Sequence, residues 1–154
     1  MFDEIDMARY EKRDLPFGAD SAADPMSLRT RSQAILAGLL NRSHALKFAC
    51  LSTVDGRVFA QASVRDEAAA HRIAAMSSSL LGLSESFARD ALRGSSSFTT
   101  ISTEHGSIIV VRVPTPKRSH VLAIGADASD MMALTLRYAL DTAAALAAVI
   151  GDRD

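Results

Sequence analysis

The side chains that could do chemistry are few and scattered. His44, His71, His105 and His120 fall at a helix end, on a helix face, in a turn and at a loop-strand junction. They have neither the i, i+4 pairing nor the cysteine partners that a zinc site needs. Cys50 is the only cysteine, so a disulfide framework is excluded; it sits in an apolar, strand-like run with Lys47 as its nearest base, where a thiol packs as a small hydrophobe. The serine triplets Ser77–Ser79 and Ser95–Ser97 lack the Gly-x-Ser-x-Gly elbow of a hydrolase. Gly82 and Gly94 open no phosphate-binding loop, and Lys117, Arg118 and His120 make only a small basic patch at a hairpin tip. No catalytic residue, cofactor or metal is predicted, and the chain is not read as an enzyme.

The richest polar constellation is instead the arc His71, Ser78, Glu85, Arg89 and Arg93, which helical spacing gathers on one side of a long helix. Such an arc is either a solvated face or a mixed-charge platform for a protein partner. The elements that must position it follow from the pattern. Asp24 and Pro25 read as N-cap and first residue of a helix reaching about Asn41, with Leu28, Ile35, Leu36, Leu39 and Leu40 at helical spacing. Ala45–Thr53 and Val58–Ser63 are extended runs joined by Asp55-Gly56, the composition of a type I′ hairpin turn. Asp66 caps a second helix from Glu67 to about Leu92, ended by Gly94. Ser97–Thr103 and Ser107–Val113 form a second hairpin around Glu104-His105-Gly106, and Val121–Ala126 is a fifth strand. The last helix runs from near Ser129 to Ile150 and carries Met132, Leu136, Ala139, Ala143, Leu146 and Ile150 along one stripe. The predicted fold is α+β: a five-stranded antiparallel sheet sandwiched between helices in the order α-β-β-α-β-β-β-α.

The chain has 154 residues, 48% of them apolar, which is enough for one core. Its 17 Lys+Arg against 18 Asp+Glu argue against a nucleic-acid partner. The longest uninterrupted apolar run, Ala143–Ile150, falls short of the ~20 residues that cross a bilayer, and no leader pattern opens the chain. No membrane insertion is expected, and the expected location is cytoplasmic. Residues 1–24 stand apart, with seven acids and three bases against a net +3 in the rest. They are expected to form a flexible acidic arm ahead of a domain over residues 25–154.

The second helix is too apolar for one chain. Its apolar arc spans about 180°, whereas a stripe of roughly 100° suffices for a helix packed on one surface. Met76, Leu83 and Phe87 lie on one flank and are expected to fill the space above the chain's own sheet. Ala70, Ala74, Ser77, Leu81, Ala88 and Leu92 lie on the other, where mostly small side chains would let a symmetry mate approach closely. A homodimer is therefore predicted, the alternative being that the chain's own loops cover this flank.

The run Ser52-Thr53-Val54-Asp55-Gly56-Arg57-Val58-Phe59-Ala60, then Ala74-Ala75-Met76 leading to Leu80-Leu81-Gly82-Leu83, with the strands and final helix beyond, resembles the roadblock / dynein light chain domain family. The resemblance extends from about Met26 to Ile150 and implies the profilin-like sandwich derived above. It also implies a dimer in which second helices pair and third strands join edge to edge, which adds Phe98, Thr99 and Ile101 to the interface. Members of this family act as adaptors or regulators of small Ras-like GTPases, as in bacterial cell-polarity systems, or as light chains of the dynein motor. The resemblance thus implies a non-catalytic regulator whose platform of His71, Ser78, Glu85, Arg89 and Arg93 receives such a GTPase, with an arginine finger from Arg89 or Arg93 as a variant. A scaffold or light-chain-like subunit of a larger complex, and a small-ligand sensing module, are the alternative readings.

Overall fold

Two hairpins and a central strand build the sheet, and hydrophobic patterning decides which helix covers each face. The computed structural model describes residues 28–151; the expected arm at residues 1–24 and the Asp24–Pro25 cap lie outside the described residues. Residues 28–40 are helical (α1). Then follow β1 (Leu46–Thr53), β2 (Val58–Ala62), α2 (Glu67–Leu92), β3 (Phe98–Thr103), β4 (Gly106–Arg112), β5 (His120–Asp127) and α3 (Met132–Ile150). The order α-β-β-α-β-β-β-α is as predicted. The sheet runs β2-β1-β5-β4-β3 with every neighbouring pair antiparallel, so β5 closes the gap between the hairpins. As the middle strand, β5 is covered on both faces, and its residues are buried from His120 to Ala126.

Leu36 and Leu39 of α1 and Ala139, Ala143, Leu146 and Ile150 of α3 share one core with the inward side chains of the sheet, including Leu51, Ile109, Leu122 and Ile124. The opposite face holds a smaller cluster, Leu81 of α2 on Val110, Val121 and Ala123. Alternation along β4 explains the division, because Ile109 and Val111 point to the α1/α3 layer while Ile108, Val110 and Arg112 point to α2. By length and composition α3, with 19 residues at a mean hydropathy of 1.4, could cross a membrane, a property that counting uninterrupted apolar residues overlooked. In the fold its buried stripe rests on the sheet.

Three boundaries differ from expectation for local reasons. The first turn is not type I′: Asp55 keeps a negative φ, Gly56 alone is left-handed at 85°, and Gly56 N–H donates to the Thr53 carbonyl at 2.9 Å. Within the pair closed by the Thr53 N–H donating to the Arg57 carbonyl at 2.8 Å, the loop is three residues with glycine at the left-handed position. Arg93, at φ 52°, takes the left-handed position that ends α2, and the Gly94 N–H closes back on the Ala88 carbonyl at 3.3 Å. Asp127 accepts hydrogen bonds from the Ser129 hydroxyl and N–H, which together with Lys47 lower its pKa to about 2. This turn occupies the chain beyond β5, so α3 starts at Met132 and not near Ser129.

Gly106 opens β4 at φ 149°, and a Cβ there would lie 2.0 Å from the Ala126 carbonyl oxygen of the neighbouring strand. Gly106→Ala is expected to destabilise the chain by about 2 kcal/mol or more, read as a lower urea midpoint.

Candidate functional site

The long helix α2 presents four kinds of surface: a buried stripe, a half-buried margin, an exposed apolar row and a polar arc. Asp66 caps it, accepting from the Ala69 N–H at 2.7 Å, and the first buried stripe follows at Ala70, Ala74, Ser77 and Leu81. These four side chains face the chain's own sheet. For these four the expected assignment of flanks is reversed, since they are covered within one chain, while farther along the same flank Ala88 is half-buried and Leu92 is exposed. Small side chains are what allow a helix axis to come close to any partner, and here the sheet is that partner. The Cys50 thiol meets the Ala70 carbonyl at 4.0 Å, and a Cβ on Gly56 would lie 3.3 Å from the Ala75 Cα.

The bulky flank is therefore the outer one. Met76, Leu83 and Phe87 are 62%, 70% and 73% exposed. Their spacing of seven and then four residues keeps them within about 40° of one another on the helix. Between this row and the buried stripe lie Ile73 and Leu80, half-buried and packed with Ile108 of β4 at the margin of the Leu81 cluster. Ile108 in turn opposes Ile101 of β3. An apolar surface thus passes from the helix to the rim of the sheet. At that rim Phe98 and Ile101 are exposed and Thr99 is half-buried. Phe98 and Ile101, three residues apart, stand on opposite faces of the strand.

The two rims of the sheet are not equivalent. On β2, the side-chain amide of Gln33 in α1 donates to the Gln61 carbonyl and accepts from the Gln61 N–H at 3.2 Å, as a neighbouring peptide would. On β3 the outer side has no strand beside it among the described residues.

The polar arc divides. His71 is exposed and 3.6 Å from Glu67, and Arg89 and Arg93 are exposed. Ser78 and Glu85 are committed inside the chain. The Ser78 hydroxyl donates to the Val54 carbonyl and ties α2 to the first hairpin. Glu85 receives the Arg112 guanidinium on both oxygens, at 2.8 and 2.9 Å, and Arg118 at 3.2 Å. The Arg112 hydrogen bonds hold the Glu85 carboxyl below its ordinary value of 4.5, with the nearby charges of Arg112 and Arg118 adding to the effect and burial opposing it. Arg112 also donates to the Arg118 carbonyl at 2.7 Å, which fixes the loop between β4 and β5 while Arg118 is left-handed at φ 54°. Sequence reasoning missed this clamp. Its signal was the alternation that places Arg112 beside Ile108 and Val110, facing α2.

The scattered groups remain apart. Cys50 is buried and its thiol is pushed up to about 11 by loss of hydration, so it stays protonated. His120 is buried edge-on to Phe59 at 5.0 Å, and His105 lies at the exposed hairpin tip beside Glu104. Among the described residues no group of three His, Cys, Asp or Glu side chains could hold a metal ion.

A depressed carboxyl contributes stability above its unfolded value and loses it as pH falls toward the folded one. The stability difference between wild type and Glu85→Gln is expected to be full near neutral pH and to shrink as pH falls below 4.5, measured by urea titration across the acid range.

The model of the Roadblock/LC7 domain family matches residues 33–115. Among curated proteins, none matches the chain. The fold is similar to that of a Roadblock/LC7 domain from Streptomyces avermitilis, at 19% identity and a TM-score of 0.68 over 74% of this chain and 92% of that one. It is also similar to MglB of Myxococcus xanthus, at 14% identity and a TM-score of 0.71 over 80% and 90%. The gliding protein MglB from Thermus thermophilus gives 14% identity and a TM-score of 0.70 over 82% and 93%.

Proposed function

The chain belongs to the Roadblock/LC7 domain family, and from that premise we propose that it is a non-catalytic homodimeric adaptor that binds a small Ras-like GTPase and modulates its nucleotide cycle. The observation that carries the reading is the uncovered apolar surface of Met76, Leu83 and Phe87, continuous through Leu80 and Ile108 with the open strand β3. A helix row and a strand rim lying side by side are covered in one step by the same two elements of a second copy, α2 on α2 and β3 on β3. Burial of Leu83 and Phe87 would stabilise the pair by about 1.5–3 kcal/mol for each side chain. The dimer surface in this reading is Met76, Leu83, Phe87, Phe98, Thr99 and Ile101.

Two paired helices present a double set of His71, Arg89 and Arg93 on their outward side, and this platform is the proposed seat of the GTPase. The resemblance of Ser52–Ala60 and Ala74–Leu83 to the family supports that class of partner, and a cytoplasmic setting goes with it. Such a regulator supplies no reacting group. Holding the switch segments of the GTPase in one arrangement changes how its own residues meet nucleotide and water.

Light scattering should give the mass of two chains for the wild type and of one chain for Phe87→Glu combined with Ile101→Glu, with circular dichroism unchanged. Leu81→Glu should instead unfold the chain, because it forces a carboxylate into the closed layer between α2 and the sheet. A wild type of single-chain mass defeats the dimer. For the GTPase, the measurement is nucleotide exchange and hydrolysis by the Ras-like GTPases of the source cell. Unchanged rates together with no co-migration would defeat the regulator.

A further inference from the structure

Beside the C-terminal end of α2 lies a cleft with two unlike halves. One, of about 400 Å³, has an apolar wall of Val111, Pro114, Leu140 and Ala143. The other, of about 420 Å³, is bordered by Arg89, Lys117 and Arg118. The two adjoin at Ser95, Arg112 and Arg118, which border both. Glu85 is the single acid lining the basic half among the described residues, and its two oxygens are held by Arg112 and Arg118. Arg89 and Lys117 are exposed at the mouth, so the cleft is left strongly positive next to an apolar wall.

That pairing selects its occupant. A bare anion would neutralise the rim and leave the wall wet, and a purely apolar segment would cover the wall and leave the cations unpaired. A segment that interleaves acids with large apolar residues satisfies both halves. The opening of this chain reads Met1-Phe2-Asp3-Glu4-Ile5-Asp6, and residues 1–24 carry seven acids against three bases, whereas the remainder is net positive by three. The 22 residues from Asp6 to residue 28, where the described chain begins, reach up to roughly 70 Å when extended. That is farther than the width of a domain with a radius of gyration of about 15 Å. We propose that the cleft is the docking site of the chain's own N-terminal segment, with Phe2 and Ile5 on the Val111–Leu140 wall and Asp3, Glu4 and Asp6 facing Arg89, Lys117 and Arg118. The docking shares Arg89 with the proposed GTPase platform, but its test uses this chain alone, so its failure and the failure of the GTPase reading are read separately.

The full chain tests it by limited tryptic cleavage after Lys12 and Arg13, followed by mass spectrometry, and by carbodiimide coupling of Lys117 to carboxylates. Arg89→Glu with Lys117→Glu changes the exposed mouth, and Asp3→Lys with Glu4→Lys and Asp6→Lys changes the arm, so neither set disturbs the core. Cleavage is expected to be roughly tenfold slower in the wild type than in either set. The protection should return when the two sets are combined, and should fall away in about 1 M salt, where the screening length is about 3 Å. Coupling should join Lys117 to Asp3, Glu4 or Asp6. Wild-type cleavage as fast as in the variants, or coupling of Lys117 only to carboxylates elsewhere, would overturn the proposal.

Discussion

The seating of α2 on the sheet through Ala70, Ala74, Ser77 and Leu81 governs what the rest of the molecule can present. A stripe of small residues brings the helix close, and Leu81 fills the remaining space over Val110, Val121 and Ala123. Once that contact is made, the rotation of the helix is fixed. Met76, Leu83 and Phe87 must then point outward on one side, and Ser78 and Glu85 must point toward the hairpin loops on the other. Two anchors hold the second side, the Ser78 hydroxyl on the Val54 carbonyl and the Arg112–Glu85–Arg118 clamp. The apolar side has no anchor of its own within the described residues, and Met76, Leu83 and Phe87 stay exposed there.

Electrostatics reinforces this division. The clamp sits among partly buried groups, with Arg112 and Glu85 side chains 16% and 20% exposed, where an ion pair with bidentate geometry is stronger than a pair in open water. The ion pairs at Asp55–Arg57, Arg65–Asp66 and Arg137–Asp141 are exposed and contribute little to holding the layers. The clamp also carries structural information, since it joins α2, β4 and the loop before β5 at one point.

Much of this was legible in the residues. The Asp66 cap, the full extent of α2 and the five strands followed from patterning, because each depends on neighbours close in sequence. The family resemblance implied β3 as an interface edge, and in the structure β3 is an outer strand of the sheet with Phe98 and Ile101 exposed. What could not be read was which flank of α2 faces inward. A helical wheel gives the angle between Leu81 and Phe87 but not the absolute rotation, and both flanks are apolar. The choice is made by the sheet, whose α2 face offers Val110, Val121 and Ala123 and accepts the flatter stripe. Glu85 was misread as part of a free platform for the same reason, since its partners lie 27 and 33 residues away in the chain.

The side-chain amide of Gln33 lying against the Gln61 peptide has a consequence for stoichiometry. A five-residue strand with one of its peptides already matched is a poor template for a further chain, so extension of the sheet can proceed from one end only. If two copies paired at that end, as proposed, the blocked strands would be the outer limits of the assembly. Growth would then terminate by itself, avoiding the open-ended stacking that a sheet with two receptive borders would invite.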